Sequence, residues 1–104
     1  MQIARIIGTV VATRKEPSLN GLRFMLARPL DETGRETGST LVAVDAVGAG
    51  MDEVVLIASG SSARQTVQTD KRPVDAVIMA IVDSWDVNGD EKYRKHSSPL
   101  VPEE

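Results

Sequence analysis

The chain of 104 residues has no cysteine, which rules out a disulfide framework and any thiolate metal site, and is compatible with a reducing cytosol. One histidine, His96, stands in a polar C-terminal stretch, too little for a transition-metal centre or a serine hydrolase base. No G-x-S-x-G elbow surrounds any serine. Aromatic residues are scarce: Phe24, Trp85 and Tyr93 are the full set, each expected in a core or an interface. Basic residues are not in excess, since 12 Lys and Arg face 15 Asp and Glu for a net charge of −3. Single-stranded nucleic acid calls for a cationic groove with stacking rings, which this composition does not supply. No apolar run reaches membrane-spanning length, and Met1-Gln2-Ile3-Ala4-Arg5 lacks the parts of a signal peptide, so a soluble intracellular protein is expected.

Two near-motifs also fall short. In Gly48-Ala49-Gly50 the third glycine position of a dinucleotide loop is Glu53, which would repel phosphate. Asp83, Asp86 and Asp90 suggest calcium, but the EF-hand template would put Ser84 at its first position and Lys95 at its twelfth, where a carboxylate is required. No cofactor, metal or catalytic residue is expected.

What is present is enough apolar material, 41% of residues, for one small core. Alternation with a period of two marks strands. The first spans about Gln2 to Thr13, with Ala4, Ile6, Gly8, Val10 and Ala12 on one face. So long a strand must bend, and Gly8 is the natural place. Pro17 and Asn20-Gly21 make the next stretch a loop. A second strand starts at Leu22 and ends at Pro29, and the polar run Asp31–Gly38 is a solvated hairpin tip before a third strand, Ser39 to Ala46. After the turn Val47–Asp52, Glu53 to Ser59 carries five apolar residues in succession, so both its faces should be covered, which hints at an oligomer. The run Val74 to Val87 fits helix or strand by hydrophobicity; its β-branched content favours one long strand. Asn88-Gly89 is a turn signal. The expected division is a β-barrel domain over 1–88 and a peripheral or mobile tail over 89–104.

Between the fourth and last strands lies Ser59-Gly60-Ser61-Ser62-Ala63-Arg64-Gln65-Thr66, where the aliphatic run gives way to small, hydroxyl-bearing residues and one cation. By itself this is a tight loop whose serines cap a turn. Five short strands in so small a chain suggest an all-β, five-stranded closed barrel of the oligonucleotide-binding type with a short helical turn. A ligand module of that type is the alternative reading of function.

Four segments together carry a resemblance. Ile7-Gly8-Thr9-Val10-Val11-Ala12-Thr13-Arg14-Lys15, Val44-Asp45-Ala46-Val47-Gly48-Ala49-Gly50, Ser59-Gly60-Ser61-Ser62-Ala63-Arg64 and Arg72-Pro73-Val74-Asp75-Ala76 resemble the EutN/CcmL family in order and spacing over roughly residues 1–87. The resemblance implies a non-enzymatic shell protein of bacterial microcompartments in the bacterial cytoplasm, a barrel assembled as a cyclic pentamer at five-fold vertices. Its implied partners are four further copies and, at the rim, hexameric and trimeric shell proteins, with neither nucleic acid nor membrane. It places Gly60, Ser61, Ser62, Ala63 and Arg64 at a narrow axial opening. Arg14, Asp45, Gln65, Arg72 and Asp75 are candidate subunit-interface residues. Five Arg64 side chains on the axis would repel one another, so each is expected to be drawn aside by a carboxylate or carbonyl.

Overall fold

A computed structural model describes residues 1–95. Five strands close a barrel: β1 (Gln2–Val10), β2 (Phe24–Pro29), β3 (Leu41–Asp45), β4 (Val54–Ser59) and β5 (Ala76–Ile81). Around it the order is β1-β2-β3-β5-β4, and every neighbouring pair is antiparallel except β3 with β5, which is parallel. This is the closed architecture expected from the strand count. Two short 3-10 turns, Pro17–Leu19 and Gly60–Arg64, interrupt the connections.

The interior is filled mainly by small and branched residues: Ala4 and Ile6 from β1, Met25 and Ala27 from β2, Ala43 from β3, Val55 and Ile57 from β4, Ala76 and Ile78 from β5. Alanine is frequent because a five-stranded barrel has a narrow bore, and larger side chains on every strand would overpack it. A second cluster forms outside the barrel wall from Val44, Ala58, Ala63, Val74 and Val77, with Leu19, Leu22, Phe24 and Ala46 against it. The two apolar faces of β4 are thereby explained within one chain. Val55 and Ile57 point inward, and Ala58 is covered by the second 3-10 turn and its return segment. Their burial needs no neighbouring copy.

β1 departs from the simple alternation. Its register against β2 slips between Ile6, which faces Ala27, and Gly8, which faces Leu26. Residues paired across a sheet share a face, so the bulge turns Gly8 and Val10 to the outer side with Leu26 and Phe24, while Ala4 and Ile6 stay inside. The single face Ala4 to Ala12 expected from the sequence is therefore split in two. A Cβ on Gly8 would come within 3.2 Å of the Leu26 Cδ1 atom. The strand also stops at Val10 and not at Thr13.

The run Val74 to Val87 is two strands. β5 stops at Ile81, Val82 donates its amide to the Val54 carbonyl at 2.8 Å, and the chain leaves the barrel. Within β5 a second bulge opposite Leu56 and Ile57 brings both Ile78 and Ile81 to the core side. β6 (Ser84–Val87) and β7 (Asp90–Arg94) then make a separate antiparallel hairpin. Its turn residues Asn88 and Gly89 have φ of 55° and 82°, the left-handed pair that a two-residue hairpin turn demands. The division expected after residue 88 falls inside this turn, and 90–94 pair with the preceding strand. Residues 96–104, including His96, lie outside the described residues.

Contacts within the hairpin and to the neighbouring segments hold it in place. Trp85 stacks on Tyr93 with centroids 5.1 Å apart, and its indole Nε1 donates to the Glu32 carbonyl at 2.9 Å. Lys95 Nζ meets Glu53 Oε2 at 2.8 Å, while the Lys95 amide donates to the Asp83 carbonyl at 2.7 Å. The Glu53 carboxylate also accepts from the Gly50 amide, closing the turn before β4. Its hydrogen bond holds the Lys95 ammonium above the usual lysine range.

Candidate shell-assembly surface

The second 3-10 turn is built by its flanks. Ser59 ends β4 opposite Ala76, and Gly60 then takes φ +64°, where a side chain would be strained. The Gly60 amide donates to the Asp75 carbonyl at 2.8 Å, which ties the start of the turn to the start of β5. Ala63 is fully buried in the outer cluster beneath. Arg64 Nη1 donates to the Val74 carbonyl at 3.0 Å, so the guanidinium folds back onto its own chain. Ser61 and Ser62 are thereby left exposed at the crest.

Neither serine hydroxyl makes a hydrogen bond within the described residues, and Ser59 makes no side-chain cap. The capping role expected of them falls instead to Thr66 and Thr69. Their hydroxyl oxygens lie 2.7 Å apart, the Thr69 amide donates to Thr66 Oγ1 at 3.0 Å, and Thr69 is fully buried. The sequence signal for this was the T-x-x-T spacing, which the hydroxyl-rich neighbourhood obscured. The Val74 carbonyl, the acceptor for Arg64, has no sequence signature at all.

The five interface candidates divide. Asp45 has a side chain only 1% exposed, which accepts from Arg23 Nη1 at 2.9 Å and from the Val47 and Gly48 amides at 3.0 Å each. Arg72 Nη1 donates to the Asn20 carbonyl at 2.6 Å, pinning the loop around the first 3-10 turn. These two shape their own chain. Arg14, Gln65 and Asp75 are exposed, and their side chains have no partner among the described residues. The end of β1 and the start of β2, with the segments beside them, border an open cleft of about 340 Å³ lined by Thr9, Val10, Val11, Ala12, Lys15, Leu22, Arg23 and Phe24.

The carboxylates near the hairpin have local tasks. Asp86 accepts from the Gly89 amide at 3.2 Å, and Asp90 pairs with Lys92 at 2.8 Å. Among the described residues no three His, Cys, Asp or Glu side chains are grouped as a metal would need. Among them, too, no helix is long and apolar enough to cross a membrane.

Residues 1–83 match the family described as ethanolamine utilisation protein EutN/carboxysome. The carboxysome shell vertex protein CcmL of Gloeobacter violaceus is 48% identical over 95 residues, covering 91% of this chain and 95% of that protein. A solved structure of Gloeobacter violaceus CcmL superposes with a TM-score of 0.89 at 47% identity, over 93% of this chain and 100% of that one. The GrpN pentameric microcompartment shell protein from Rhodospirillum rubrum superposes at 0.76 with 41% identity, over 84% of this chain and 100% of that one. The chain belongs to the EutN/CcmL family of bacterial microcompartment shell vertex proteins, a structural and non-enzymatic class.

Proposed function

We propose that five copies of this chain form a cyclic ring that closes the five-fold vertices of a microcompartment shell in the bacterial cytoplasm, meeting hexameric and trimeric shell proteins at its rim. A sheet of hexagonal tiles stays flat unless five-fold points add curvature, and a pentamer supplies one. The observation that carries the placement of the axis is the second 3-10 turn. It is a crest with small exposed residues Gly60, Ser61 and Ser62, anchored by Ala63, and its one cation is folded back onto Val74. Five such crests can approach closely without like-charge repulsion, leaving a narrow opening edged by neutral hydroxyls. The uncapped serine hydroxyls are free to line that opening.

A cyclic ring uses two different surfaces on each copy, one for each neighbour. Arg14, Gln65 and Asp75, exposed and unengaged, are the polar residues proposed to work across that joint, while Asp45 and Arg72 hold the loops that present it. Native mass spectrometry tests the ring, and a monomer at micromolar concentration would sink it. Co-expression with hexameric shell proteins tests the vertex role: electron microscopy should show closed shells with this chain and open-ended or elongated ones without it. A ligand module of the same barrel type gains nothing from the structure, because the two aromatic residues of the hairpin stack on each other and Phe24 packs against the outer cluster.

A further inference from the structure

Two exposed segments of the chain mirror each other in spacing, each with a valine followed three residues on by a charge unpaired among the described residues, of opposite sign in the two. Just past β1, Val11 is 86% exposed beside the cleft, and three residues on stands Arg14. Past the second 3-10 turn, Val67 is 95% exposed, and three residues on stands Asp70. Neither Arg14 nor Asp70 has a side-chain partner among the described residues. Val67 contributes nothing to its own loop, which is held by the Thr66–Thr69 pair on either side of it. An aliphatic side chain left almost wholly in water gains free energy if a partner surface buries it.

Resting on the ring assembly proposed above, we infer that Val67 of one copy seats in the cleft formed by Val10, Val11, Ala12, Leu22 and Phe24 of the next, with Asp70 paired to Arg14 across the joint. The occupant of the cleft is a second copy of this chain. Each element of the pairing has its counterpart: an apolar knob and a cleft whose apolar lining is interrupted by Thr9, Lys15 and Arg23, a free carboxylate and a free guanidinium. Lys15, also at the cleft, donates to the Ala12 carbonyl at 3.0 Å and adds to the positive charge there. On the other side Asp70 and Asp75 are both exposed and unpaired among the described residues; Lys71 beside Asp70 is exposed as well and Arg72 is engaged with the Asn20 carbonyl, so the complementarity rests on the single Asp70–Arg14 pair and not on the net charge of the two segments. The knob and the cleft lie on different segments, as a head-to-tail joint requires.

The absence of cysteine makes the test clean, since the double variant Val11→Cys/Val67→Cys carries only the two thiols needed. Native mass spectrometry of the unaltered chain comes first, and a monomer there overturns the ring itself. With a pentameric parent, a short bismaleimide is expected to convert the double variant into a denatured-gel ladder reaching five chains, while each single variant stays at one. A link confined to one chain, or no link, overturns the pairing and leaves the ring standing. Val67→Asp is expected to raise the concentration at which the pentamer dissociates about tenfold or more, with an unchanged far-ultraviolet spectrum, from loss of one buried valine. Arg14→Asp should do the same, and adding Asp70→Arg should restore association. A Val67→Asp pentamer as resistant to dilution as the parent, or a charge reversal that fails to rescue, counts against the joint.

Discussion

Replacing Asp45 with alanine strands the Val47 and Gly48 amides and releases Arg23, all at the end of β3 where the barrel passes into the turn that leads to β4. Its side chain is nearly inaccessible, whereas Arg23, Val47 and Gly48 are exposed, so water replaces part but not all of what the carboxylate provides. Asp45→Ala is expected to cost about 2–3 kcal/mol, seen as a fall in Tm of roughly 10 °C or more for a domain of this size. Arg64→Met keeps the aliphatic stem and deletes the bond to the Val74 carbonyl, for an expected loss of about 1–2 kcal/mol by chemical denaturation. The crest behaves differently. The Ser62 hydroxyl bonds nothing in its own chain, so Ser62→Trp should leave the barrel as stable as before, within about 0.5 kcal/mol. Its effect belongs to the ring: pentamers lost on native mass spectrometry would make the crest a packing element, and intact pentamers with altered shell permeability would make it a gate.

At the scale of elements, the hairpin β6–β7 is a unit apart from the barrel. Its strands share no pairing with β1–β5, and its residues enter neither hydrophobic cluster. It is expected to open before the barrel melts. Trp85 is the only tryptophan and sits at the attachment, so its fluorescence reports the hairpin, while far-ultraviolet dichroism reports the barrel. A single coincident transition for both probes would show that the hairpin is part of the barrel's cooperative unit. The pH response of these attachments follows from their charges. The Thr33 hydroxyl, followed by the Arg35 and Thr33 amides, holds the Asp31 carboxyl below its ordinary value at the tip that receives Trp85. A lowered acid contributes fully above its unfolded pKa of about 3.9 and loses that contribution as pH falls through the folded value. Lys95 is raised by its bond to Glu53, so its contribution is complete below its unfolded pKa of about 10.4 and is lost as pH climbs through the folded value. Hairpin opening, followed by Trp85 fluorescence, is expected to be flat from about pH 5 to 10 and to become easier on either side.

Elements also mark where sequence pattern stops being informative. The alternation in Leu41–Asp45 gave the right faces, with Leu41 and Ala43 toward the core and Val44 outside, because a strand without a bulge preserves its parity. In β1 and β5 a single extra residue reverses that parity, and a bulge is decided by the strand opposite, not by the bulged residues alone. The same limit hid the break after Ile81. Val82 is as apolar and β-branched as its neighbours, and only the position of Val54 determines that pairing ends there. The crest was visible as Gly60-Ser61-Ser62-Ala63-Arg64 because its composition is abrupt, whereas the Arg64 acceptor is a backbone carbonyl ten residues on and leaves no trace in residue types.

For the whole molecule, the change from sequence to structure moves the case for assembly onto new ground. Burial of both faces of β4 pointed toward an oligomer, yet within one chain Val55 and Ile57 face the barrel core and Ala58 is covered by the second 3-10 turn and its return segment. What argues for neighbours is instead the pair of exposed valines, Val11 and Val67, and the unengaged charges beside them. These lie on surface loops, so the barrel does not depend on them to fold, and assembly should stabilise a barrel that is already formed. A ligand that binds only the folded state raises stability by mass action, and here four other copies are that ligand. Tm is therefore expected to rise with protein concentration, by several degrees over a roughly hundredfold range, when followed by differential scanning fluorimetry. For Val67→Asp the same series should be flat and start at the value the parent approaches on dilution. A parent whose Tm ignores concentration across the range in which native mass spectrometry sees pentamers dissociate would mean that the joint contributes no folding stability.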